Sequence, residues 1–293
     1  MKRSSWAVSF LVVFLPGIAW CQIGNIVVTS AASFQPGIPP KGSIASLFCT
    51  GLRVTGVTAA TTTPLPETLA GVTVTIDGAP APLFAVADLG GYQQINFQVP
   101  TDVGSAKVVV SQNGTQGSAS ATNDPNSPGE LFRIGASQFG VFQHASDYSL
   151  VTPDNPVKAG ETVIAYATGL PSATPAVPIG QPAPLSPLSH VPQLDLGTAI
   201  DTIGVSLNYG VLLMDSVPER GSGDTTGLLP IPFMGLAPGS VGLYQINFVL
   251  PQGLPPGNVP IQLVREICTG VLGCGAPWYV KYYAGQPVLL PVH

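Results

Sequence analysis

The chain has 293 residues, 45% of them hydrophobic and only 9% charged, so it can fill more than one core. Its 34 glycines and 31 prolines do not mark it as disordered. A net charge of −5 with no basic stripe argues against a nucleic-acid partner. Charged side chains fall far below the usual quarter, so solubility must rest on Ser, Thr, Asn and Gln.

Lys2 and Arg3 precede an apolar run from Trp6 to about Trp20, interrupted by Pro16-Gly17. That run is short for a bilayer span, which takes about 20 residues. The order of charge, apolar stretch and breaker predicts a secretory signal peptide over residues 1–21, cleaved to leave Gln22 first. A lipoprotein signal with Cys21 lipidated is the alternative, though Trp20 sits where that signal wants a small residue. No other stretch is apolar enough to cross a bilayer, so no span is expected after cleavage.

The first unit, residues 22–122, is expected to be a β-sandwich. IGNIVVTSAASF (23–34) and GSIASLFCTGL (42–52) read as strands around the turn PGIPPKG (36–42). Cys49 in the second of these reads as a buried small hydrophobe. Residues 53–68 read as a Thr/Pro loop. GVTVTIDG (71–78) alternates, with Val72, Val74 and Ile76 on one face, and Asp77-Gly78 is a tight-turn dipeptide. APLFAVADLGG (81–91) leads to QINFQVP (94–100), where Ile95, Phe97 and Val99 share a face and Pro100 should end the ladder. AKVVVSQNGTQGSASAT (106–122) is a hairpin turning at Asn113-Gly114. About seven strands in roughly 100 residues is the size of an immunoglobulin-like domain.

NDPNSPGE (123–130) reads as a stiff linker. An interdomain calcium site using Asp124, Asn126 and Glu130 is the sharper alternative, but two prolines and the lack of further carboxylates count against it.

The second unit, residues 131–293, repeats the plan. GETVIAYATGL (160–170) matches GSIASLFCTGL, GVSLNYG (204–210) parallels GVTVTIDG, and QINFVLP (245–251) repeats QINFQVP. A tyrosine stands just upstream of each QINF, at Tyr92 and Tyr244. The first match is offset by 118 residues and the last by 151, which places the extra residues in loops 171–197 and 216–230. Loops of this length are often functional, so the charges Glu219, Arg220 and Asp224 make a candidate recognition loop; a tolerated surface insertion explains them equally well. Near the C-terminus, Cys268 and Cys274 close CTGVLGC, where a disulfide would contribute about 2 kcal/mol. A zinc site is the alternative, yet zinc takes four ligands and the chain has three histidines. PWYVKYYAGQPVLLPV (277–292) reads as a final aromatic strand.

No nucleophile elbow, zinc-protease, P-loop or dinucleotide motif is present, so neither a catalytic centre nor a cofactor is expected. His190 and His293 read as solvated. His144 lies near Asp147 and Ser149, but alternation on one short strand sends neighbours to opposite faces. A local hydrogen bond fits this cluster better than a triad.

Taken together, ASF-PG, GSIASLFCTGL, LPETLAGVTVTIDGAPAPLF, QINFQVP, HASDYSLVTPDNPVKAGETVIAYATGL and GLAPGSVGLYQINFVLP resemble an uncharacterised domain family of Solibacter-type acidobacteria, often found at the end of large secreted proteins. The resemblance runs from about Ala31 to Val264 and implies an all-β chain of two tandem immunoglobulin-like (IPT/TIG-type) β-sandwich domains after a signal peptide. It brings no catalytic residues. Cys49 replaces a usual glycine, and the 216–230 insertion lengthens the second unit. The expected function is that of a secreted or cell-surface, non-catalytic module with an unknown protein or glycan partner. A carbohydrate-active or other secreted hydrolase is the alternative.

Overall fold

The computed structural model describes residues 22–191, 194–195, 200–207, 229–268 and 280–293. The expected leader, the loop charges Glu219, Arg220 and Asp224, and Cys274 of the expected disulfide lie outside these residues. Among the described residues the chain is all β, with no helix, and so no helix long and apolar enough to cross a membrane.

The first unit contains β1 (Gly24–Ser30), β2 (Ile44–Thr50), β3 (Val57–Ala59), β4 (Val72–Ile76), β5 (Ala79–Pro80), β6 (Leu83–Asp88), β7 (Gln93–Gln98), β8 (Ser105–Gln112) and β9 (Thr115–Thr122). They form two antiparallel sheets, in the orders β1-β2-β7-β6-β3 and β5-β4-β8-β9. Alternation decides what lies between them: Ala45, Leu47, Ile95 and Phe97 from one sheet meet Val72, Val74, Val108 and Val110 from the other, all buried. Burying each large side chain contributes about 1.5–3 kcal/mol. Both expected hairpin dipeptides turn with positive φ, Asp77-Gly78 at 49° and 86° and Asn113-Gly114 at 49° and 83°. The short strand β3 runs through the segment expected to be a plain loop.

The second unit contains β10 (Glu130–Leu131), β11 (Phe142–His144), β12 (Thr162–Thr168), β13 (Leu194–Asp195), β14 (Ile200–Leu207), β15 (Phe233–Leu236), β16 (Tyr244–Val249), β17 (Gly257–Cys268), β18 (Val280–Ala284) and β19 (Val288–Val292). One sheet runs β10-β12-β16-β15 with β11 also on β12; the other runs β13-β14-β17-β18 with β19 also on β17. Phe142 and Phe248 meet edge to face in the core at 6.2 Å. Glu130, at the end of the expected linker, already belongs to a strand.

The two units are built on one ladder. In the first, Ala45 pairs with Phe97 and Phe48 with Gln94. In the second, Val163 pairs with Phe248 and Tyr166 with Gln245. Offsets of 118 on one strand and 151 on its partner give the same register, so the duplicated motifs sit in equivalent places. The two tyrosines do not. Tyr244 is 3% exposed and donates its hydroxyl to the Pro171 carbonyl at 3.0 Å. Tyr92 is 47% exposed. The register partner of Tyr244 in the first unit is Gln93, because Tyr92 stands one residue further from its motif.

Direct hydrogen bonds join the units. The Ile44 N–H donates to the Thr168 hydroxyl at 2.8 Å, and the Leu65 N–H to the Gly180 carbonyl at 2.9 Å. Gly242 fits against this seam: a Cβ there would come within 2.7 Å of the Gly42 carbonyl.

Candidate functional site

The histidine cluster is assembled at the end of β11, which buries His144 and pairs it with Val163 of β12. His144 Nδ1 lies 2.5 Å from Glu161 Oε1, and its Nε2 lies 3.3 Å from the Asn155 carbonyl. Both ring nitrogens thus face acceptor oxygens, and neither faces the Ser149 hydroxyl that a relay would need. The Ser149 hydroxyl donates to Asp147 Oδ1 at 2.7 Å and receives the Asn155 side-chain amide at 3.3 Å. The Ser149 backbone N–H and hydroxyl together hold the Asp147 carboxyl below its ordinary range. Histidine, serine and aspartate therefore stand near one another without forming a relay. The partner that the sequence did not reveal is Glu161, 17 residues from His144. Its other oxygen accepts the Lys158 N–H at 3.0 Å.

Cys49 is buried and free, and burial pushes its thiol up to about 11, which suits packing rather than nucleophilic attack. In the interdomain segment, Asp124 Oδ1 accepts the Asn126 N–H at 2.9 Å, a local turn. Glu130 is drawn into the sheet. Burial raises its carboxyl pKa, against the downward pull of the Ser33 hydroxyl and the Arg133 charge. No group of three or more His, Cys, Asp or Glu that could hold a metal occurs among the described residues.

The described part of loop 171–197 is a structural element. Its Thr174 and His190 exchange backbone hydrogen bonds at 2.8 and 2.9 Å, and His190 bridges to Gly235. Ala173, Ala183 and Val191 enter the second core, while Gly180 reaches the first unit. Its small apolar residues give the segment a core to join despite its length. The side chains of His190 and His293 are exposed.

Alternation sends Gln94 and Asn96 to the face of β7 opposite the core, and the structure adds beside them, on β2, an aromatic cluster that spacing alone does not show. Phe48 packs between Phe34 and Tyr92, with ring centroids 6.0 and 5.9 Å apart. Beside it, the Gln94 amide donates to Asn96 Oδ1 at 2.8 Å, and the Ser46 hydroxyl donates to the same oxygen at 2.9 Å.

No family model and no curated protein matches the sequence. Among solved structures, the chain is similar to domains 5–6 of the S-layer protein SbsC, with 12% identity and a TM-score of 0.24 over 92% of this chain and 97% of that one. It is also similar to the titin domains z1z2 in complex with telethonin, with 10% identity and a TM-score of 0.21 over 93% and 98%. Likeness at that level carries no function across. The immunoglobulin-like β-sandwich architecture rests on the strand pairing itself.

Proposed function

We propose that this is an exported, non-catalytic β-sandwich protein that binds or scaffolds at the cell envelope or outside the cell. The observation that carries the reading is the histidine cluster. Where His144, Asp147 and Ser149 approach one another, the ring is taken by Glu161 and Asn155 and the hydroxyl by Asp147. Export rests on the N-terminal pattern of charge, apolar run and breaker. The resemblance to Solibacter-type terminal domains agrees with it.

Two measurements test the proposal. Mass spectrometry of the mature chain should find Gln22 first; an intact Met1 would remove the export argument. A turnover screen over polysaccharides and esters should give no product, and turnover abolished by His144→Ala would make the protein a hydrolase.

A further inference from the structure

The turn after β1 and the turn after β11 are the same turn. The Phe34 N–H donates to the Ser30 carbonyl at 3.1 Å, and the Tyr148 N–H to the His144 carbonyl at 2.9 Å. The return bonds also match, Ser30 N–H to Gln35 at 3.1 Å and His144 N–H to Ser149 at 3.0 Å. Ser30 pairs with Ala45 and His144 with Val163, which hold the same place in the duplicated ladder. Yet the sequences SAASFQPG and HASDYSLV have little in common.

What both turns keep is an aromatic residue in left-handed backbone, Phe34 at φ 59° and Tyr148 at φ 60°. That conformation costs a side-chain-bearing residue about 1–2 kcal/mol, and glycine would take it freely. Neither ring is sunk in a core: Phe34 is 49% exposed and Tyr148 66%. Each stands by an outward strand aromatic. Phe34 packs on Phe48, and Gln143 links Tyr148 to Tyr166: its amide donates to the Tyr148 carbonyl at 2.8 Å and its side-chain oxygen accepts the Tyr166 hydroxyl at 2.7 Å.

Each strand aromatic in turn faces a glutamine across the ladder, Gln94 or Gln245. The glutamine donates to the asparagine two residues on, Asn96 at 2.8 Å and Asn247 at 2.9 Å. In the first unit the row beside them is uncharged, Phe48 and Gln94 aligning with Val27, Ala87 and Val57, whereas in the second the exposed Asp147 stands next to Tyr148. Neighbouring positions have diverged, with Ser46 where the second unit has Ile164, so the shared features are not a demand of the core.

We propose that these two equivalent faces are binding sites for an uncharged polysaccharide: Phe34, Phe48 and Gln94 in the first unit, Tyr148, Tyr166 and Gln245 in the second. A sugar ring has an apolar C–H face and a rim of hydroxyls. Exposed aromatic rings supply the matching platform, and the amide pair supplies donors and acceptors at its edge. No lysine or arginine stands in the aligned rows, so they give no purchase to nucleic acid or anionic lipid. An apolar protein face would bury the amides against nothing they could bond. The inference rests on the non-catalytic reading only in expecting retention rather than cleavage.

The test is retention of the full chain on microcrystalline cellulose, chitin and β-1,3-glucan, compared with Phe34→Gly, Tyr148→Gly and the double variant. Glycine removes the ring and relieves the backbone, so the fold should survive with an unchanged or higher melting temperature. At least one polysaccharide should retain the parent chain, even in about 1 M salt, where charge effects are screened within about 3 Å. Each single variant should weaken retention about tenfold, and the double variant should lose it. Retention on none of the three, or equal retention by the double variant, overturns the proposal. So does self-association abolished by the double variant in the absence of polysaccharide binding. Released soluble sugar would overturn the non-catalytic reading alone, leaving the site assignment to the variants.

Discussion

Gln98 Oε1 accepts the Gly180 N–H at 2.6 Å, while the Gln98 amide donates to the Gly42 carbonyl at 2.9 Å. One side chain, 4% exposed, thereby ties the second unit's long loop to the first unit's sheet. In the duplicated strand its place is taken by Val249, so the bridging glutamine is peculiar to the first copy. Replacing Gln98 by Val strands the Gly180 N–H, at about 1–3 kcal/mol for a buried group without a partner. Calorimetry should then show a lower transition, broadened toward two steps because the units are joined only by the remaining bonds such as Ile44 to Thr168 and Leu65 to Gly180. Gly242→Ala should act the same way by pressing on the Gly42 carbonyl.

The His144–Glu161 pair replaces two serines of the first unit, Ser30 and Ser43, at equivalent positions. Glu161→Ser leaves His144 Nδ1 and the Lys158 N–H without their acceptor, and His144→Ser leaves a half-buried carboxylate unmatched. Each should cost about 1–3 kcal/mol. The double variant should cost less than the sum, with a coupling of about 0.5–3 kcal/mol in a denaturation cycle. Additive losses would mean that the pair does not act as a unit.

Glu130 should make stability depend on pH. A carboxyl whose folded pKa is raised holds its proton more tightly in the native state. Its contribution is therefore full below the ordinary carboxylate range and is lost as pH rises through the raised value. Glu130→Gln should melt higher than the parent at neutral pH and show a flatter profile above about pH 4.5. The same slope in both chains would assign the dependence elsewhere.

Cys49 should resist alkylation in the native state. With its thiol pushed up to about 11 by burial, almost none is thiolate at pH 8, and the sulfur is out of reach. Peptide mapping should find label at Cys49 only after denaturation. Cys49→Ala, which installs the residue found at Ala167, should fold.

Much of the fold was legible because alternation and turn chemistry are local. The faces of QINFQVP and QINFVLP, and the hairpins at Asp77-Gly78 and Asn113-Gly114, follow from side-chain period and from the residues that tolerate positive φ. The rest depends on distance. Glu161 meets His144 only because β11 and β12 pair, and nothing in HASDYSLVTPDNP announces it. Phe34 and Tyr148 escaped notice for another reason: left-handed backbone is sought at Gly and Asn, and these aromatics adopt it against preference. Tyr92 and Tyr244 show that nearness to a repeated motif is not register: a shift of one residue buries Tyr244 and exposes Tyr92.

The seam around Gln98 and Gly180 also fixes a length. With Ile44 bonded to Thr168 and Leu65 to Gly180, Phe34 and Tyr148 are held at one separation, like the jaws of a locked caliper. A short oligomer that cannot reach across gains nothing from the second jaw, whereas a chain long enough to span both is held far more firmly. Loosening the seam would blur that selection by size without touching either ring.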